Sequence, residues 1–197
     1  MVYNYRVIIR VFMTNLYNMM FSGKIPEVFY KHYNNRAMTT DITVANGKID
    51  IFCKSFLTML FRAFKSAPGE NAKNIPIKII LTSKLGSNEF DFERIFYLKN
   101  KDYAFCSTLY VVKHGQLVEK QRSGICWHFS SRWDGEKVCL EHIKFSWHNI
   151  RIPLEILIGK VNAYEWVVNE SSFKMRANLT HPFFGKLYEY TGTFNME

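Results

Sequence analysis

The sequence predicts an α+β protein in which N-terminal helices precede a large, strongly curved antiparallel β-sheet or open β-barrel. Three observations predict it. Apolar residues recur at three- and four-residue steps in the first third of the chain and at two-residue steps from Ile75 onward. Turn signals then separate about eight or nine short alternating runs. A sheet of that many strands curls and encloses an interior. The 197 residues are 48% hydrophobic and 22% charged, a folded composition long enough for one sizeable core. No repeat or linker-like stretch divides the chain. Residues 14–197 are therefore expected as a single globular domain, with residues 1–13 as an N-terminal extension.

The extension, "MVYNYRVIIRVFM", has a short apolar run that Arg10 breaks, and no small-residue cleavage site follows. Nothing in the chain reaches the roughly 18 apolar residues of a membrane span. A cytoplasmic location is the expectation. "TNLYNMMFSGKIPEVFYKHYNN" reads as two helical pieces broken at "SGKIP", with Thr14 or Asn15 as a cap and Pro26 opening the second. "RAMTTDITVANGKIDIF" is β-rich and carries Asn46-Gly47, which predicts a hairpin. "FCKSFLTMLFRAF" has helical spacing at Phe52, Phe56, Leu57, Leu60, Phe61 and Phe64, and "SAPGENAKN" follows as a loop.

From Ile75 the runs "IPIKIILTSKL", "EFDFERIFYL", "YAFCSTLYVV", "LVEKQRS", "ICWHFSSRW" and "EKVCLEHIKFSWHNI" alternate as strands. "RIPLEILIGK" predicts a short helix after Pro153. "NAYEWVVN" and "SSFKMRANLTH" form another hairpin, and "PFFGKLYEYTGTF" closes the chain as a strand. The first helices should cover one face of the sheet or plug one end.

The net charge of +9 raises nucleic acid or an anionic membrane as partners. Residues 1–100 carry 14 cations against 7 anions, and residues 101–197 carry 12 against 10. No basic block or nucleic-acid motif concentrates them, so a generally basic surface is the preferred reading. Cys53, Cys106, Cys126 and Cys139 form no CxxC pair, which disfavours a zinc ribbon and predicts reduced core thiols. No metal, dinucleotide, P-loop or nucleophile-elbow motif is present, and no cofactor is expected.

Two features are candidates for chemistry. In "FDFERIFYL", Phe90, Phe92, Phe96 and Leu98 share one strand face with Arg94. A guanidinium does not release its proton to escape burial, so Arg94 must meet a carboxylate, carbonyls, water or a ligand. Glu119, Glu141 and Glu165 lie on other strands. The second feature is Asp134-Gly135. A two-residue hairpin loop there pairs Trp133 with Glu136, and the register carried outward sets His128 opposite Glu141. A His–carboxylate pair is acid–base machinery in some sites and a satisfied polar pair in more. Trp127, Trp133, Trp147 and Trp166 are core, or the lining of an apolar cavity.

The ordered series "FERIF", "GQLVEKQRSG", "RIPLEIL", "YEW" and "HPFFGKLYEYTG" resembles a bacterial domain family of unknown function, DUF4166, over roughly Leu16 to Phe194. Members of that family often stand alone or follow a saccharopine-dehydrogenase-like NAD(P)-binding domain. The resemblance implies organisation rather than activity, with a separate NAD(P)-binding protein as a partner by analogy. It singles out Arg94, Glu119 and Glu165, which the alternation reaches independently. The functional expectation is a binding module whose interior takes a small apolar ligand, or a carboxylate that meets Arg94 while aromatics hold its tail. The alternatives are an enzyme using Glu119, Glu165 or His128 in the same cavity, or a basic module that docks on membranes or proteins.

Overall fold

The computed structural model describes residues 14–54 and 67–197. Their elements are α1 (Leu16–Met20), α2 (Glu27–His32), β1 (Ile42–Cys53), β2 (Ala72–Ser83), β3 (Phe90–Tyr97), β4 (Asp102–Lys113) and β5 (Gln116–Gln121). These are followed by β6 (Ile125–Trp133), β7 (Lys137–Trp147), β8 (Ile150–Ile152), α3 (Glu155–Ile158), β9 (Lys160–Asn169), β10 (Ser172–His181) and β11 (Gly185–Met196). All strand pairings are antiparallel, in the order β6-β5-β4-β3-β2-β1-β11-β10-β9-β7-β8. β6 also pairs with β7, which closes ten of the strands into a barrel and leaves β8 as a flap on β7. The sheet is therefore closed rather than open. Closure follows from the strand number, because a twisted sheet of this size satisfies its edges by meeting itself.

Two expectations in the first third need correction. Asn46-Gly47 is not a turn: β1 runs unbroken from Ile42 to Cys53 and pairs with β2 on one side and β11 on the other. Gly47 serves close approach instead. A Cβ there would stand 2.5 Å from the Thr193 carbonyl oxygen and 2.8 Å from the Phe194 ring. Gly192, one strand over, would bring a Cβ to 2.2 Å from the Lys48 carbonyl oxygen. A glycine within a strand often marks such a close approach of neighbouring backbone. The expected helix from Phe52 loses its first residues, since Phe52 and Cys53 end β1. Its remainder at 55–66, and the extension at 1–13, lie outside the described residues.

The N-terminal helices are short and act as a plug. Asn15 caps α1 by accepting the Asn18 N–H at 2.9 Å, and Pro26 precedes α2 with a helix-compatible φ of −53°. Leu16, Met20, Val28 and Phe29 are buried almost completely. Their anchors are the turns at one end of the barrel. Gly115 N–H donates to the Met19 carbonyl at 3.2 Å, Ser131 Oγ to the Met20 carbonyl at 3.0 Å, and the Phe29 ring packs on Trp133 and Phe173. Strand direction places the opposite end at the turns 98–101, 122–124 and 182–184, together with β8 and α3.

Candidate functional site: a cavity inside the barrel

A cavity of about 250 Å³ runs along the barrel interior, from His32 and Tyr33 at the plug to Ser123, Ile125, Leu154 and Leu157 at the other end. Its wall is mainly apolar and includes Phe92, Phe96, Phe105, Phe129, Leu117, Trp127, Met175 and Leu179. The inward faces of the strands supply these side chains by two-residue alternation. Two polar clusters interrupt the apolar wall.

Arg94 holds the first. Adjacent strands β3, β4 and β5 set Arg94 opposite Phe105 and Ser107 opposite Gln121, with Glu119 two residues before Gln121 on the same face. Arg94 Nη2 donates to Ser107 Oγ at 2.8 Å and to Glu119 Oε1, and Ser107 Oγ donates to the same carboxylate oxygen at 2.7 Å. The guanidinium lies between the Phe92 and Phe105 rings, 4.1 Å from each centroid. Its flat, weakly hydrated ion suits such a slot where an ammonium would not. Arg94 and Glu119 are 5% and 7% exposed, so the pair is desolvated and its charges cancel within the protein. Tyr190 lines the wall beside them, its phenol raised by burial and held back by Arg94.

Glu165 holds the second cluster, on β9. It is 1% exposed and meets no cation comparable to Arg94. Tyr33 Oη donates to both of its oxygens, at 2.9 and 3.0 Å, and His32 Nε2 stands 3.9 Å from Oε1. Burial drives both titratable groups toward neutrality. Glu165 is raised to about 7, with the Tyr33 hydrogen bond opposing the shift, and His32 is lowered to about 4. Tyr33 itself is raised, first by burial and then by Glu165.

The sequence-based residues therefore divide. Arg94, Glu119 and Glu165 all face the cavity, but Glu165 meets α2 rather than Arg94. His128 and Glu141 do not meet. Trp133 pairs with Val138 rather than Glu136, and a further shift between His128 and Phe129 sets His128 opposite Lys144. The cause is the turn. Asp134 Oδ1 accepts the N–H groups of both Glu136 and Lys137, at 3.0 and 2.9 Å, which lengthens the loop. His128 bonds Ser146 Oγ at 2.8 Å, Glu141 pairs with exposed Arg132, and neither lines the cavity. Cys126 and Cys139 consequently face Ser146 and Arg132, and both thiols are free. Of the tryptophans, Trp127 lines the cavity, Trp133 packs on the plug and Trp147 is half exposed.

Alternation within strands could not reveal His32 or Tyr33, whereas Ser107 shares the inward face of β4 with Phe105 and Leu109 and was legible by that period. The signal available for His32 and Tyr33 was the apolar spacing of α2, which forces one face of that helix into the barrel. Among the described residues no cluster of His, Cys, Asp or Glu is arranged to hold a metal ion, and no helix is long and apolar enough to cross a membrane.

No curated protein matches the chain. A family model, described as a domain of unknown function, matches residues 26–194, which takes in α2, all eleven strands almost to the end of β11, and every residue of both polar clusters. The chain therefore belongs to the DUF4166 family.

Proposed function

We propose that this barrel is a binding module for a small, largely apolar molecule carrying one polar group. The observation that supports this reading is the cavity itself: a closed barrel, plugged by helices, keeps an apolar interior of about 250 Å³ with two desolvated polar clusters in its wall. A fold selected for stability alone would fill that space with side chains. Arg94 is already balanced by Glu119, so the ligand need not be an anion. A hydroxyl, carbonyl or protonated acid suits both clusters better than a carboxylate, which would add a third charge beside Glu119.

Native mass spectrometry of the purified protein tests the proposal by seeking a co-purifying small molecule. The expected result is a bound mass that the Arg94→Leu/Glu119→Leu variant, with its charges replaced by apolar volume, folds without. A folded double variant that retains the same molecule at the same occupancy would remove the polar cluster from the binding role.

Glu165 supports a second reading, acid–base catalysis in the same cavity. A carboxyl raised to about 7 inside an enclosed site is suited to donate or accept a proton near neutral pH. Under this reading the molecule recovered from wild type and from Glu165→Gln differs chemically, as product and unreacted substrate. Recovery of one identical molecule from both leaves binding alone.

A further inference from the structure

The end of the barrel opposite the plug has an apolar tip and a basic collar. Phe183 and Phe184 form the turn between β10 and β11 and are 88% and 59% exposed. Ile156 and Leu157 of α3 are 77% and 66% exposed, and Leu157 also lines the cavity. These four side chains belong to one built unit. His181, almost fully buried, accepts the Phe183 and Phe184 N–H groups at Nδ1, at 3.1 and 3.3 Å. Its Nε2 therefore carries the ring proton and donates to the Ile156 carbonyl at 2.9 Å. Gly159 brings α3 directly against the β10 backbone, where a Cβ would lie 2.2 Å from the Thr180 carbonyl oxygen. The phenylalanines are thus held outward by a buried histidine, on an exposed turn at the end of the cavity that Leu157 lines.

The charges of the two ends differ. Lys99, Lys101, Arg122, Arg151, Lys160 and Lys186 are exposed around the tip end. Of the carboxylates there, Glu155 is shared between His142 and Arg151, and Glu189 between Arg176 and Lys186. Asp50, Glu70 and Asp102 lie toward that end as well. The plugged end balances its lysines and arginines with Glu27, Asp41, Asp91, Asp134, Glu136 and Glu170. The tip end therefore keeps more cations than carboxylates, while the plugged end is close to balanced.

We infer that the tip end docks on an anionic lipid bilayer, with Phe183, Phe184, Ile156 and Leu157 entering the headgroup region and the basic collar meeting lipid phosphates. Exposed aromatic and aliphatic side chains ringed by lysine and arginine are the chemistry of interfacial binding. Exposed apolar side chains on one turn and one short helix, with cations scattered over the neighbouring turns, fit a fluid, uniformly anionic surface better than the shaped face of a protein partner. The cavity mouth would then face the bilayer, a source of apolar molecules with one polar group. Docking goes beyond the proposed cavity ligand and stands or falls separately from it.

The test is co-sedimentation of the full chain with phosphatidylcholine vesicles, with and without phosphatidylserine, at low and high salt. The expected result is binding that needs phosphatidylserine, fades at high salt, and weakens about tenfold or more in Phe183→Ser/Phe184→Ser. The double variant should keep the wild-type melting temperature and the same co-purifying molecule. Failure to bind anionic vesicles, or undiminished binding by Phe183→Ser/Phe184→Ser, overturns the inference. A partner protein captured on this face without vesicle binding overturns it equally. None of these outcomes alters the mass-spectrometric result on the cavity, and an empty cavity does not alter vesicle binding.

Discussion

Arg94 and Glu165 lie in the same cavity, on β3 and β9, yet the chain tolerates them there by different means. Arg94 cannot shed its charge, so the fold supplies a counter-charge and two aromatic faces. Glu165 can take up a proton, so the fold supplies a phenol and a neutral imidazole and lets burial raise its affinity for the proton. The difference teaches that one apolar interior can hold a fixed pair and a titratable group without either neutralising the other. It also divides their consequences. The first cluster acts on stability as a charge pair, and the second governs how stability and cavity chemistry vary around neutral pH.

The largest effect should come from breaking the fixed pair. Arg94→Leu leaves Glu119 buried with only Ser107 to meet it, and should cost about 3–5 kcal/mol in urea denaturation. Arg94→Leu/Glu119→Leu removes both charges and should recover most of that loss. If the double variant is as unstable as the single one, the ion pair is not what fixes the cost.

The titratable cluster comes next, with signs that can be worked out. Glu165 has a folded pKa raised from 4.5 to about 7. Its contribution to stability is fully present below pH 4.5 and is lost as pH rises through about 7, in total about 3 kcal/mol. His32 has a folded pKa lowered from 6.5 to about 4. Its contribution, of similar size, is present above pH 6.5 and is lost as pH falls through about 4. In wild type the two slopes oppose each other between pH 4.5 and 6.5 and leave a shallow profile. Glu165→Gln should expose the histidine slope, with stability climbing as pH rises from 4 to 6.5. His32→Phe should expose the carboxyl slope, with stability falling from pH 4.5 to 7. Parallel profiles for the two variants would refute the assignment of opposite roles.

Tyr33→Phe separates the hydrogen bond from burial. The lost phenol should cost about 1 kcal/mol. Because that hydroxyl favours the carboxylate, its removal should also move Glu165 above about 7. The infrared band of the protonated carboxyl should then persist to higher pH than in wild type, and an unchanged titration would show that Tyr33 does not tune it.

The legibility of these groups in the sequence followed a physical rule. A two-residue period fixes which face of a strand a side chain occupies, and it set Arg94 in an apolar row without knowledge of any partner, while Glu119, Glu141 and Glu165 were only candidates on other strands. Partners depend on register, and register depends on turn atoms. Asp134-Gly135 read as a two-residue loop, but the Asp134 carboxylate draws in two further amides and displaces every later pair on that hairpin. Asn46-Gly47 carried a turn signal, but packing against β11 decided its role. Helix α2 was legible as a helix; that its end would put His32 and Tyr33 beside a β9 carboxyl depends on barrel closure, which no local pattern encodes.

The hairpin displaced by Asp134 also supplies the smallest expected effect, and it sharpens the contrast between buried and exposed pairs. Glu141 meets Arg132 at 3.0 Å, a geometry no worse than that around Arg94, but both side chains are largely in water. Water already solvates each ion, salt screens their attraction, and fixing two long side chains costs entropy. Glu141→Gln should therefore leave the urea midpoint within experimental error at ordinary ionic strength. A loss approaching that of Arg94→Leu would mean that this face is buried in the functional state, against a surface that contacts the outer wall of β6 and β7.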